Sequence, residues 1–155
     1  MNAAVAIRTG DDRDRAFIVD LGGRTVMDSV SRFRDAIPAM AQVSLERLVD
    51  FVYTQPHVIL IAEDGSTPQG FLLLLDGMPD EVTLAPQAFV AYMAVEPEAR
   101  RKGIGAALLA EAERIARERN LPTIAMMVTE ENGPALRLYE RAGFITERRL
   151  MCKPL

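Results

Sequence analysis

The chain has 155 residues, 49% apolar and 26% charged, a one-domain length with the balance of a soluble globular protein. Its net charge of −4 argues against a general nucleic-acid or membrane-surface partner, so any basic cluster must act locally. One cysteine, Cys152, and one histidine, His57, allow no internal disulfide and disfavour a His/Cys metal site or a Ser–His or Cys–His nucleophile.

No apolar run, Phe71 to Leu75 among them, is long enough to span a bilayer. The opening MNAAVAIRTGDD lacks the charge, apolar and cleavage pattern of a signal peptide, so a cytoplasmic location is expected. Val5 to Arg8 reads as a first strand. Asp11 or Asp12 caps a helix through Arg13 to Leu21, which Gly22-Gly23 interrupts. Pro38 favours a loop, and Ser44 is the expected cap of a second helix carrying Leu45, Leu48, Val49 and Val52 on one face. Residues 11–52 serve either packing or substrate binding.

His57 to Ala62 and Gly70 to Leu75 are β-rich runs joined by EDGSTPQ, whose turn residues predict an antiparallel hairpin. Their consecutive apolar positions suggest central strands covered on both faces. His57, at the start of the first run, is expected to be structural. Asp76 to Gln87 reads as an exposed connection with two prolines.

Phe89 to Val95 is the next strand, ended by Pro97. A basic turn follows, Arg100-Arg101-Lys102-Gly103-Ile104-Gly105, and then a helix from Ile104 to Arg119. Bare N–H groups, a helix dipole and three cations thus gather in one place, which suits a phosphate. A dinucleotide fold would need a glycine where Leu108 stands, and a triphosphate loop would need lysine and hydroxyl where Ile104-Gly105-Ala106-Ala107 stands. An anion cradle or a plain glycine-capped turn remains. Thr123 to Thr129 reads as a strand parallel to the preceding one through a βαβ crossover. Pro134 opens another helix, capped by Asn132 or Gly133 and stopped at Gly143, with Ala135, Leu138, Tyr139 and Ala142 on one face. Ile145 to Lys153 reads as a final strand. The expected whole is one α/β domain, residues 1–155, with a mixed sheet.

The pattern Val95-x-Pro97-x-x-Arg100-x-x-Gly103-x-Gly105, followed by Asn132-x-x-Ala135-x-x-Leu138-Tyr139-x-x-x-Gly143-Phe144, resembles the GCN5-related N-acetyltransferase family. That resemblance implies a mostly antiparallel sheet with one splayed parallel pair, flanked by helices. It implies acetyl-coenzyme A as co-substrate, no metal, and a small-molecule or peptide amine as acceptor. A homodimer is common in that family and is left open by the chain.

Residue by residue, the resemblance puts the cofactor arm along Met93, Ala94 and Val95. Arg100, Arg101, Lys102, Gly103, Ile104, Gly105 and Ala106 hold its pyrophosphate. Asn132, Ala135 and Tyr139 approach from the other side, and Tyr139 falls where a general acid stands. A backbone N–H of Met93 or Ala94 is the expected oxyanion donor. Many members carry a carboxylate near Ala91 and Tyr92, whereas this chain has none from Thr83 to Val95. That departure leaves two versions open, a low-pKa amine acceptor or a water chain to Glu130, Glu131 or Glu63. It also leaves open a catalytically weak acyl-coenzyme A-binding regulator of the same fold.

Overall fold

A computed structural model describes residues 5–155. Strands β1 (Ala6–Thr9), β2 (His57–Asp64), β3 (Thr67–Pro79), β4 (Pro86–Val95) and β5 (Ile124–Met126) form one sheet in sequence order. All neighbours are antiparallel except β4 and β5, which are parallel. Helices α1 (Arg15–Thr25) and α2 (Pro38–Tyr53) pack on one face, and α3 (Ile104–Glu118) and α4 (Gly133–Arg141) on the other. No helix among the described residues is long and apolar enough to cross a membrane.

Alternation explains the two layers. Successive side chains of a strand point to opposite faces. Leu60, Leu72 and Leu74 therefore meet Leu108 and Ala112 of α3, while Ile59, Ile61, Phe71 and Leu73 meet Ile18, Leu21 and Val49 of α1 and α2. As expected, β2 and β3 are apolar at consecutive positions because both faces are covered.

Several local expectations change. Gly22-Gly23 does not break α1, because these glycines are where α2 presses closest. A Cβ on Gly22 would stand 2.5 Å from a methyl of Leu45, and one on Gly23 would collide with Gln42. Helix α2 starts at Pro38 rather than at Ser44, since proline at the first helical position loses no hydrogen bond. Asp76–Gln87 is largely strand: β3 and β4 continue past a bulge to the pair Pro79–Pro86. The short turn between them is ordered by Asp80, whose carboxylate accepts from the N–H groups of Val82 and Thr83. Strand β5 is shorter than Thr123–Thr129, and Ile145–Lys153 is not a strand but an exposed run without regular structure.

Before α1, Asp11 caps a single 3-10 turn, and Asp14 returns a bond to the Asp11 N–H at 2.9 Å. Asp14 is buried and accepts from both ends of the Arg8 guanidinium at 2.9 and 2.7 Å, while Arg8 also donates to Glu63 at 2.7 Å. The Arg8 bonds hold the Asp14 carboxyl below the usual carboxylate range. This fork joins β1, β2 and the start of α1. Asp14→Asn should lower unfolding free energy by about 2 kcal/mol at pH 7. Because the folded pKa is depressed, that contribution is present above the unfolded carboxylate pKa and fades as pH falls through the folded one. Urea melts from pH 7 downward should show the two proteins converging in acid; a constant gap would rule out the ionic fork as the cause.

Candidate active site

Strands β4 and β5 hold together only over three pairs, from Ala88–Ile124 to Val90–Met126, and then part. The cause lies in β4. Leu73 faces Tyr92 and Leu74 faces Val90, so Ala91 is an extra residue that bends the strand away. Beyond it β4 stays with β3 and leaves a gap toward β5. A cavity of about 60 Å³ opens there, lined by Ser29, Val90, Ala91, Tyr92, Met93, Met126, Met127 and Tyr139.

Bond parity decides which amides face the gap. Hydrogen-bonded pairs alternate along an antiparallel ladder. The Glu96 N–H donates to the Gln69 carbonyl at 2.8 Å, so the bonded pairs inward are Ala94–Phe71 and Tyr92–Leu73. Met93 and Val95 consequently aim their N–H and C=O groups into the gap, whereas Ala94 is turned to β3. Of the two amides named for an oxyanion, only that of Met93 therefore faces the gap. The Val95 carbonyl already accepts from Arg100 Nε at 3.2 Å.

At the end of β4 a one-turn helix, Pro97–Ala99, leads into the basic turn. Arg101 and Gly103 both adopt left-handed backbone, with φ of 62° and 85°. Their alternation with ordinary residues turns successive N–H groups to one side. Among the described residues the amides of Arg101 to Ala106 have no acceptor in the chain, and the first ladder bond of α3 is Ala107 to Gly103. Arg101 and Lys102 are exposed and outside every ion pair of the described residues. Arg100, in contrast, folds back to Val95 and to Asp28 at 3.5 Å, away from those amides.

Helix α4 closes the other side of the gap. Asn132 caps it, accepting from the Ala135 N–H at 3.3 Å, and Ala135 is half-buried on the same turn. Leu138 packs so near Gly105 that a Cβ there would stand 2.9 Å from its methyl. Tyr139 lines the cavity, with its ring edge on Phe144 at 6.0 Å. Burial, and secondarily Tyr92, raises the Tyr139 pKa, so its phenol keeps its proton.

Sequence reading missed the hydroxyl partners of Tyr92. The Tyr92 ring stacks on Phe71, and its hydroxyl lies 3.1 Å from Thr25 Oγ1. Thr25 spends its single proton on helix carbonyls, at 2.9 Å to Leu21 and 3.2 Å to Gly22. Tyr92 is therefore the donor of the pair, and its oxygen keeps lone pairs toward the cavity. Burial raises the Tyr92 pKa, against the hydrogen bonds it makes with Thr25 and Ser29. The turn after α1 also spans the gap, since Thr129 Oγ1 donates to the Ser29 carbonyl at 2.5 Å and Arg32 stands 3.6 Å from Glu131. Nothing in residue periodicity announces these contacts between distant segments.

The remaining candidates lie apart. Glu63 is held by Arg8 and does not line the cavity. His57 Nδ1 meets the Gln55 carbonyl at 2.7 Å, beside a larger cavity of about 310 Å³ at the far end of α3. The arginines of that cavity, Arg114 and Arg119, are already paired with Glu111, Glu118 and Asp76. No cluster of three or more His, Cys, Asp or Glu that could hold a metal occurs among the described residues.

Comparison with known proteins follows the same outline. The model of the acetyltransferase (GNAT) family matches residues 29–144, well over half of the chain. A mycothiol acetyltransferase of Acidothermus cellulolyticus is 41% identical over 59 residues, which are 38% of this chain and 18% of that protein. N-alpha-acetyltransferase 30 of Xenopus laevis is 28% identical over 100 residues, 64% of this chain and 36% of that protein. The chain thus spans only about a fifth to a third of the length of these curated relatives. A solved structure from Pyrococcus furiosus, assigned as an acetyl transferase, superposes with a TM-score of 0.82 at 26% identity, covering 97% of this chain and 99% of its own.

The contact between Gly105 and Leu138 sets how close α3 and α4 stand. Gly105→Ala should cost about 1–3 kcal/mol by overpacking. Adding Leu138→Ala should recover part of that loss, and a double-mutant cycle on thermal melts reads the coupling. Strict additivity would show that this contact does not set the spacing.

Proposed function

The chain belongs to the acetyltransferase (GNAT) family, and from that premise we propose that it transfers an acetyl group from acetyl-coenzyme A to the nitrogen of a primary amine. The observation that carries the reading is the gap itself. It has unpaired amides of β4 on one wall, Tyr139 on the other, and the open amides of the α3 start at its mouth.

The residues present fit the cofactor. Six free N–H groups at a helix start suit a diphosphate, and exposed Arg101 and Lys102 add charge. Met93 and Val95 offer the edge of β4 to an amide-bearing arm, as a strand edge does to a peptide. Asn132, although it caps α4, keeps its side-chain NH₂ for the same arm. When bound, acetyl-coenzyme A supplies the electrophilic acyl carbon and a thiolate leaving group.

The work of the chain is then positional and electrostatic. The Met93 N–H points where charge develops on the acyl oxygen. The Tyr92 oxygen, with its proton committed to Thr25, accepts from an amine N–H and aims the nitrogen lone pair at the acyl carbon. As the neutral amine's nitrogen forms the C–N bond and the C–S bond breaks, the nitrogen gives up its surplus proton to water and the sulfur takes a proton from Tyr139. Tyr139 is held neutral by burial and regains its proton from solvent.

The acceptor class follows from what the cavity lacks. Its lining contains no carboxylate to take a proton from an ammonium group. At pH 7 a lysine-like amine is neutral about once in 2,500 molecules, an α-amine about once in seven. A low-pKa amine, such as a peptide α-amine or an aminated small molecule, is therefore the acceptor we propose.

A free-thiol assay over α-amines, lysine side chains, polyamines and aminoglycosides tests this. α-Amines should lead; lysine or polyamine substrates far ahead would refute the acceptor assignment. Tight coenzyme A binding without thiol release for any amine would identify a regulator rather than an enzyme. Tyr139→Phe should lower kcat about 100-fold with coenzyme A affinity unchanged, and an unaltered kcat removes Tyr139 from the mechanism. Tyr92→Phe should instead raise the amine KM, because it deletes the acceptor oxygen but keeps the ring on Phe71.

A further inference from the structure

A phenol donates one hydrogen bond and accepts others, so its use at a site depends on where its proton points. For Tyr92 that direction is set from outside the cavity. Thr25 is the last residue of α1, is 6% exposed and does not line the cavity. Its Oγ1 stands 2.9 Å from the Leu21 carbonyl, 3.2 Å from the Gly22 carbonyl and 3.1 Å from the Tyr92 hydroxyl. A carbonyl cannot donate, so the first two contacts need the threonine proton.

The pair has two possible orders. If Tyr92 donates, Thr25 keeps its bond to the helix and the phenol is satisfied as well. If Thr25 donates, the helix bond is lost and the phenol proton turns elsewhere, toward Ser29 on the cavity wall. The first order keeps both the Tyr92–Thr25 bond and the Thr25–Leu21 bond, and among buried groups that difference decides. The phenol cannot swing away from Thr25, because its ring is stacked on buried Phe71 with centroids 6.0 Å apart. Residue type matters too. Valine would keep the branched shape of Thr25 without the oxygen, and serine the oxygen without the methyl that restricts rotation.

We propose that Thr25 is a positioning residue, which fixes the Tyr92 O–H away from the cavity so that the phenol oxygen meets the acceptor only as a hydrogen-bond acceptor. The bonds then all run one way, from the amine N–H to Tyr92, from Tyr92 to Thr25, and from Thr25 to the α1 carbonyls. The end of a helix thereby governs a site that it does not line. The nitrogen lone pair stays free for attack. With the order reversed, the phenol would donate to that lone pair and hold the amine in a form that cannot react. The consequence for turnover rests on the acetyl-transfer reading, whereas the hydroxyl order does not.

The test compares Thr25→Val and Thr25→Ser with the parent chain. Proton NMR of the parent should show a Tyr92 hydroxyl proton, assigned by its loss in Tyr92→Phe, that exchanges slowly with water and has a cross-peak to the Thr25 methyl. In Thr25→Val that proton faces the open cavity and should exchange too fast to be seen, while Thr25→Ser should keep it. In turnover of the α-amine that leads the thiol-release panel, Thr25→Val should lower kcat about tenfold and leave the amine KM within about twofold. Thr25→Ser should stay near the parent, and Thr25→Val should cost nothing further once Tyr92 is phenylalanine. A parent without a protected Tyr92 hydroxyl proton overturns the proposal, as does one whose protection survives Thr25→Val or is lost instead in Ser29→Ala. An equal loss of kcat in the Tyr92→Phe background also overturns it, by showing a merely structural role. If no amine is acetylated, the transfer reading falls, and the NMR comparison still decides the hydroxyl order.

Discussion

One extra residue in one strand governs the rest of this molecule. Because Ala91 has no opposite number on β3, β4 bends away from β5 after a single short parallel contact. A parallel pair that continued would consume the N–H and C=O groups of Met93 and Val95. The bulge keeps them out of the ladder without leaving them buried and unsatisfied, since the Val95 carbonyl takes Arg100 and the others face an open gap. The same bend brings Tyr92, from the α1 face of the sheet, and Tyr139, from the α4 face, onto one small cavity. A flat sheet would hold those two hydroxyls on opposite sides of a closed wall.

Glycine settles how near the helices come to that wall. Gly22 admits Leu45 between α1 and α2, and Gly105 admits Leu138 between α3 and α4. The second approach matters more for chemistry, since it places α4, and with it Tyr139, against the helix whose first amides are free. Gly103 acts differently. Nothing lies within 4 Å of a Cβ built there, so its requirement is conformational, a φ of 85° at the cap of α3. Two glycines two residues apart thus have unrelated reasons, one of backbone shape and one of side-chain contact.

Periodicity makes the centre of the fold legible. The consecutive apolar runs at Val58–Ala62 and Phe71–Leu75, the stripe of α3 and the Pro134-to-Gly143 bracket of α4 each carry a local pattern with one structural solution. The edges are less legible because their causes lie elsewhere in the chain. Gly22-Gly23 looks like a break until Leu45 and Gln42 are seen against it. Residues 76–87 look like a loop, since the strand pairing that extends them is made with each other and not announced by apolar alternation. The amides at the α3 start can be anticipated from the turn, whereas the Tyr92–Thr25 bond joins residues 67 apart and cannot. The fold-back of Arg100 is hidden for the same reason, as its partners are Val95 and Asp28.

The hydroxyl order at Tyr92 bears on how an amine could react without a neighbouring carboxylate. A base on the strand would serve an acceptor that arrives protonated. Tyr92 is not an ionised base, for burial raises its pKa and keeps it a neutral phenol that donates its hydrogen bond to Thr25. What its oxygen can do is receive a hydrogen bond from a nitrogen that is already neutral. Discrimination then operates before catalysis, through the fraction of acceptor that carries a lone pair at the working pH. For an α-amine that fraction changes steeply between about pH 7 and 8, and for a lysine side chain it stays small throughout. Under the proposed transfer, a site of this kind would select by acceptor pKa as much as by shape, which would give the missing carboxylate a role in specificity.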